Sequence, residues 1–254
     1  MAREVEASGA KARFDSVCFM RGLKPPSPSR SSFSIIRSAA LLLGTGASAL
    51  LCFGQGPSLT AHDLAKRVDR HYNQLHSLTA GFTESYEGLG IKRSESGKLL
   101  LLKPGRMKWE YGTPAGKVFL LDGKYAWFYA PGDTQVQRMA AKDLDDLRSP
   151  LRFLLGHTEL EKEMSGLTVE PCPGADGRLW KLTGQPRGQE KRVSRLTLTV
   201  TSEGAITGIE MEETDGALTR FSFTGEVPNA AVPAGVFRLN APAGVPVVDG
   251  LPPA

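Results

Sequence analysis

The stretch from Gly97 to Pro131, GKLLLLKPGRMKWEYGTPAGKVFLLDGKYAWFYAP, decides the fold. It consists of short apolar and aromatic runs, Gly97–Leu102, Met107–Tyr111, Lys117–Leu121 and Tyr125–Tyr129, separated by Pro104-Gly105, Pro114, Asp122-Gly123 and then Pro131-Gly132-Asp133. Proline fixes φ and removes a donor, while Gly and Asp accept tight-turn backbone, so each interruption reverses the chain. Runs this short, with connections this tight, pair as antiparallel strands. They leave no room for crossover helices.

The same grammar extends in both directions. Upstream, Thr60 as N-cap and Asp63 three residues on start a helix whose Leu64, Val68, Tyr72 and Leu75 recur at three- and four-residue spacing. From Ser77 the period changes to two, giving a strand at Leu78–Gly88. Downstream follow Gln135–Met139, then a second helical interval from Lys142 to Gly156 with Leu144, Leu147, Leu151, Leu154 and Leu155 on one side and a break at Pro150. Strands resume at Leu167–Glu170, Leu179–Thr183, Arg195–Thr201, Ile206–Glu212, Leu218–Thr224 and Phe237–Leu239. Roughly a dozen strands with few helices predict a mainly β chain, antiparallel, in one curved sheet or barrel.

The 254 residues, 41% hydrophobic and 23% charged, are ordinary globular material. The net charge of +4 resides entirely in residues 1–56, with seven basic and three acidic side chains. Residues 57–254 hold the remaining 24 basic (31 less 7) and 24 acidic (27 less 3) groups. A neutral remainder gives no reason to expect a nucleic-acid partner. Basic residues up to Arg37, then an uncharged apolar run from Ser38 to Phe53, read as an export signal cleaved near Ala49 or Gly56. Translation can start at Met1 or at Met20. The expected organisation is a leader at 1–56 and one domain at 57–254. Cys18 and Cys52 fall in the leader, and Leu51 before Cys52 disfavours lipidation there.

Catalytic and metal signatures are absent. Gly44-Thr45-Gly46-Ala47-Ser48-Ala49 fits a dinucleotide fingerprint only formally, since no strand precedes it. The spacing of His62, His71 and His76 puts no two rings on one helical face as a metal would need. The acids Asp143, Asp145 and Asp146, and Glu159, Glu161 and Glu163, read as solvated faces, and Cys172 between two prolines as inert. No catalytic residue, metal or cofactor is expected.

The central block resembles the lipoprotein carrier protein LolA family of the bacterial periplasm. The matching elements are Gly97, Lys103-Pro104, Met107-Lys108-Trp109-Glu110-Tyr111, Pro114, Asp122-Gly123-Lys124 and Trp127-Phe128-Tyr129-Ala130-Pro131. Leu78–Glu84 is similar to the family's first strand, and Phe237–Val245 to its closing F-x-x-x-x-P-x-G-V. The resemblance implies an unclosed antiparallel β-barrel of about eleven strands with a helical lid over an apolar cavity. It further implies a monomeric periplasmic chaperone that takes acylated lipoproteins from an inner-membrane ABC exporter to an outer-membrane receptor, without catalysis. On such a barrel, alternation predicts one cavity face of Phe82, Leu99, Leu101, Met107, Trp109, Tyr111, Val118, Leu120, Trp127 and Tyr129. The lid would be the first helix, through Leu64 and Val68, plus the interval carrying Leu144, Leu147, Leu151 and Leu154. Where many carriers have an arginine latch to lid carbonyls, this chain has Lys103, which lacks the planar fork. The alternatives are a same-fold carrier or receptor for another lipid or glycolipid, and a periplasmic hydrolase.

Overall fold

A computed structural model describes residues 59–142, 158–175 and 177–250. The chain enters through α1, Ala61–Asn73, whose start is fixed by a capping box. The Thr60 side chain accepts from the Asp63 amide, and the Asp63 carboxylate accepts from the Thr60 amide. Its apolar stripe, Leu64, Ala65, Val68 and Tyr72, is buried.

Among the described residues, twelve strands follow. They are β1 (Ser77–Gly88), β2 (Ile91–Leu102), β3 (Arg106–Thr113), β4 (Ala115–Asp122), β5 (Tyr125–Tyr129) and β6 (Val136–Ala140), then, after the short α2 (Leu160–Glu163), β7 (Met164–Pro171), β8 (Leu179–Pro186), β9 (Val193–Thr201), β10 (Ile206–Glu213), β11 (Leu218–Pro228) and β12 (Val247–Asp249). They form one open sheet in the order β12-β6-β5-β4-β3-β2-β1-β11-β10-β9-β8-β7. All neighbours are antiparallel except β12, which lies parallel to β6. The long β1 joins the two halves by pairing with β2 on one side and β11 on the other. Gly97 lies where β3 bulges: a Cβ there would stand 2.8 Å from Tyr111 Cα and overlap the Glu110 carbonyl.

Three expectations are corrected. The second strand begins at Ile91, not Gly97, because Lys92-Arg93-Ser94-Glu95-Ser96 pairs fully with β1 although its polarity hides it. Phe237–Leu239 is not a strand: Ala234–Phe237 is a turn of 3-10 helix, and the terminal strand comes ten residues later. The face assignment of β4 and β5 is inverted. Trp109 pairs with Phe119 and Met107 with Leu121, then Phe119 with Phe128 and Leu121 with Ala126. Val118, Leu120, Trp127 and Tyr129 therefore point to the opposite side from Trp109. They remain in phase with one another, but the whole hairpin is turned over.

The physical reason is that this hairpin is apolar on both faces. A buried patch of Leu120, Val136 and Phe237 sits on the convex side, separate from the main core, where the 3-10 turn packs on β3 and β4. Trp127 is held there by its indole N–H, which donates to Asp122 Oδ2 at 2.7 Å, with the Arg138 guanidinium 5.5 Å from its ring. The second lid segment, with Leu144, Leu147, Leu151 and Leu154, and the leader lie outside the described residues.

Candidate functional site

The concave face is built in tiers that run across the strands. The tier nearest the α1 end comprises Leu78, Leu101, Met107, Leu121, Ala126 and Met139, joined by direct cross-strand pairing. The next comprises Ala80, Leu99, Trp109, Phe119 and Phe128, and closes at Gln137. Beyond it come Phe82, Tyr111 and Lys117, and then Glu84 and Glu95. Phe221 and Phe223 of β11 complete the aromatic floor.

Ring contacts gather this floor into two groups, one around Trp109 and one of Phe119 with Phe128. Phe82 meets Trp109 edge-on at 4.7 Å and Tyr111 at 5.0 Å, Trp109 lies 5.4 Å from Phe221, and Phe119 lies 4.7 Å from Phe128. Such contacts add roughly 0.5–1.5 kcal/mol each beyond area burial. Trp109 is only 4% exposed, and its N–H is directed at Met107 Sδ, 3.1 Å away.

The helix closes the α1 end through polar contacts at its edge. Lys103 Nζ donates to the Tyr72 carbonyl at 2.6 Å, and burial lowers the lysine pKa. Tyr72 Oη accepts from the Ile206 amide at 2.9 Å and donates to Glu226 Oε2 at 3.3 Å, while His71 Nε2 lies 2.7 Å from Glu226 Oε1. Asp69 Oδ1 accepts from the Leu160 amide, its pKa raised by burial. Beneath the helix, Tyr72, Leu78, Ala80, Leu99, Ile206, Phe223 and Glu226 line a cavity of about 10 Å³, room for about one water.

Of the residues expected on one face, the structure brings together Phe82, Leu99, Leu101, Met107, Trp109 and Tyr111. It sets Val118, Leu120, Trp127 and Tyr129 on the other side. Phe119, Leu121, Phe128 and Met139 take their place, and alternation would have found them had the phase of the β3–β4 hairpin been known. Leu64 and Val68 are fully buried under the helix. Glu84, Glu95 and Lys117 carried no signal in the sequence. Among the described residues, no three His, Cys, Asp or Glu side chains group as metal ligands would.

Residues 73–240 match the model of the family described as outer membrane lipoprotein carrier protein LolA. The chain is 31% identical to the outer-membrane lipoprotein carrier protein of Chromobacterium violaceum, over 68% of this chain and 82% of that one. It is 29% identical to the protein of the same name from Nitrosospira multiformis, over 63% and 74%. A solved LolA superfamily protein from Nitrosomonas europaea aligns over 72% of this chain and 99% of its own, at 12% identity and a TM-score of 0.40. The chain belongs to the outer membrane lipoprotein carrier protein LolA family.

Proposed function

We propose that this chain is a periplasmic carrier without enzymatic activity, which shields the acyl chains of lipoproteins between the inner and the outer membrane. The observation that carries the reading is the concave floor, two full tiers of aliphatic and aromatic side chains closed at one end by a helix on polar contacts. Each methylene removed from water contributes about 0.8 kcal/mol, so one long chain amounts to about ten kcal/mol and cannot cross water uncovered. A chain entering at the one-water cavity beneath α1 would displace the helix edge or the aromatic rings. Met107 and Met139, with their adaptable side chains, suit a surface that repacks.

The leader at 1–56 is removed on export in this reading, and the protein works as a monomer. An inner-membrane ABC exporter supplies cargo and an outer-membrane receptor accepts it. The concave floor would hold Phe82, Leu99, Leu101, Met107, Trp109 and Tyr111 against the chains, joined by Phe119 and Phe128. Lys103 would act as the latch that keeps α1 down.

The test is to direct residues 57–254 to a bacterial periplasm, purify gently and identify bound molecules by mass spectrometry. Triacylated lipoproteins support the proposal. Free phospholipid or glycolipid in their place indicates a same-fold carrier of another ligand, and an empty protein that binds no apolar fluorophore ends the carrier reading. In Phe119→Glu, which introduces a charge at a half-buried point of the floor, cargo uptake should fall about tenfold or more while β-sheet circular dichroism is retained.

A further inference from the structure

The inner surface across β1–β4 is graded from grease to charge. Residues of one face on a strand stand roughly 6.5–7 Å apart, so Met107, Trp109 and Tyr111 mark three levels over about 13 Å. Past the aromatic level, four polar side chains interlock. Tyr111 Oη donates to Glu84 Oε2 at 3.0 Å, Lys117 Nζ pairs with Glu95 Oε2, and the same ammonium lies 4.3 Å from the Tyr111 ring centre. Arg93 Nε adds a contact to Glu95 Oε1 at 3.6 Å. The Glu95 side chain is 7% exposed and Lys117 27%, so the carboxylate is covered while the ammonium still reaches the surface.

A second, independent observation lies one level lower. Gln137 Oε1, at the end of the Trp109–Phe119–Phe128 tier, is buried and accepts no hydrogen bond. An unpaired buried acceptor is destabilising, and native proteins keep few of them. A donor on a bound molecule would remove that cost.

An amphiphile lying along this face can match it in one direction only. We infer that the Glu84–Glu95–Tyr111–Lys117 cluster seats the polar end of an acylated ligand, with its carbonyl oxygens accepting from Lys117, an amide N–H donating to Gln137, and its chains running over Trp109 toward α1. The inference rests on the carrier reading above and specifies how the cargo is oriented. The reverse placement would press ester and amide groups against Leu78, Leu101 and Met107, which offer no donor, and lay methylenes over ion pairs.

Depth-resolved quenching tests it. In the full domain carrying Trp127→Phe and Trp180→Phe, Trp109 is the remaining indole, and phosphatidylcholine brominated either near the carboxyl end or near the methyl end of its acyl chain is the probe. The expected result is stronger quenching by the carboxyl-proximal bromine. The opposite order, or no quenching by either lipid, overturns the orientation; the carrier reading itself stands or falls on the bound molecules found by mass spectrometry. A paired Lys117→Met and Glu95→Gln variant, which strands no buried charge, should bind the same lipid about tenfold more weakly. Unchanged affinity together with an unchanged quenching order overturns the role of the cluster.

Discussion

Asp122 accepts three hydrogen bonds from within five residues: from the amides of Lys124 and Tyr125 at Oδ1 and from the Trp127 indole at Oδ2, all at 2.7 Å. One carboxylate thereby converts the Asp122-Gly123-Lys124 triplet into a fixed corner and commits Trp127 to the convex side. Glu84 is a carboxyl in a different situation. Burial raises its pKa, against the opposing pull of the Tyr111 hydroxyl and of Lys117. The folded state therefore retains the Glu84 proton to higher pH than the unfolded chain does. The stability it contributes is fully present below the unfolded carboxyl pKa and is lost as pH rises through the raised folded value. Glu84→Gln keeps an acceptor for Tyr111 and removes the titration. Unfolding free energies measured by urea across the weakly acidic range should fall less steeply with rising pH in the variant than in the parent.

At the scale of elements, α1 is seated by backbone fit as much as by its buried Leu64 and Val68. Gly204, at φ +101° in the β9–β10 turn, lies against the helix so closely that a Cβ would be 2.8 Å from the Val68 amide nitrogen. Arg67 Nη1 ties the same turn by donating to the Ser202 carbonyl at 2.7 Å. The opposite end of the helix depends on Lys103. Lys103→Met retains the aliphatic stem but removes the charged donor to the Tyr72 carbonyl, which keeps the longer backbone bond from Leu75 at 3.2 Å. With a half-exposed charged hydrogen bond taken as about 1 kcal/mol, amide hydrogen exchange in the last turn of α1 should quicken roughly fivefold while the central strands are unaffected. Lys103→Arg, whose fork can reach the same carbonyl, should restore protection.

At the scale of the molecule, one sheet carries two unequal apolar layers. The concave layer contains the main core, and the convex one is the small patch of Leu120, Val136 and Phe237 under the returning C-terminal segment. The segment is fastened by β12 on β6 and by Arg138, whose Nε and Nη2 donate to the two Asp249 carboxylate oxygens at 2.7 and 3.0 Å. Phe237→Ala should cost about 3 kcal/mol in chemical denaturation, the usual range for emptying a buried phenylalanine site, although it lies on the far side of the sheet from the cargo floor. Cargo affinity should be unchanged, which separates the strap from the site. The sequence by itself determined the strand periodicity, the turns, the α1 capping box and the family, because these depend on local backbone preference and on residues a few positions apart. Half of the aromatic floor and the polar level at Glu84, Glu95 and Lys117 were decided only by the tertiary structure. The reason is physical: β4 and β5 are apolar on both faces, so alternation carries no mark of which side is inward. Only the β3–β4 register, a pairing within sixteen residues, and the C-terminal strap, with contacts made across more than a hundred, turn Phe119 in and Leu120 out.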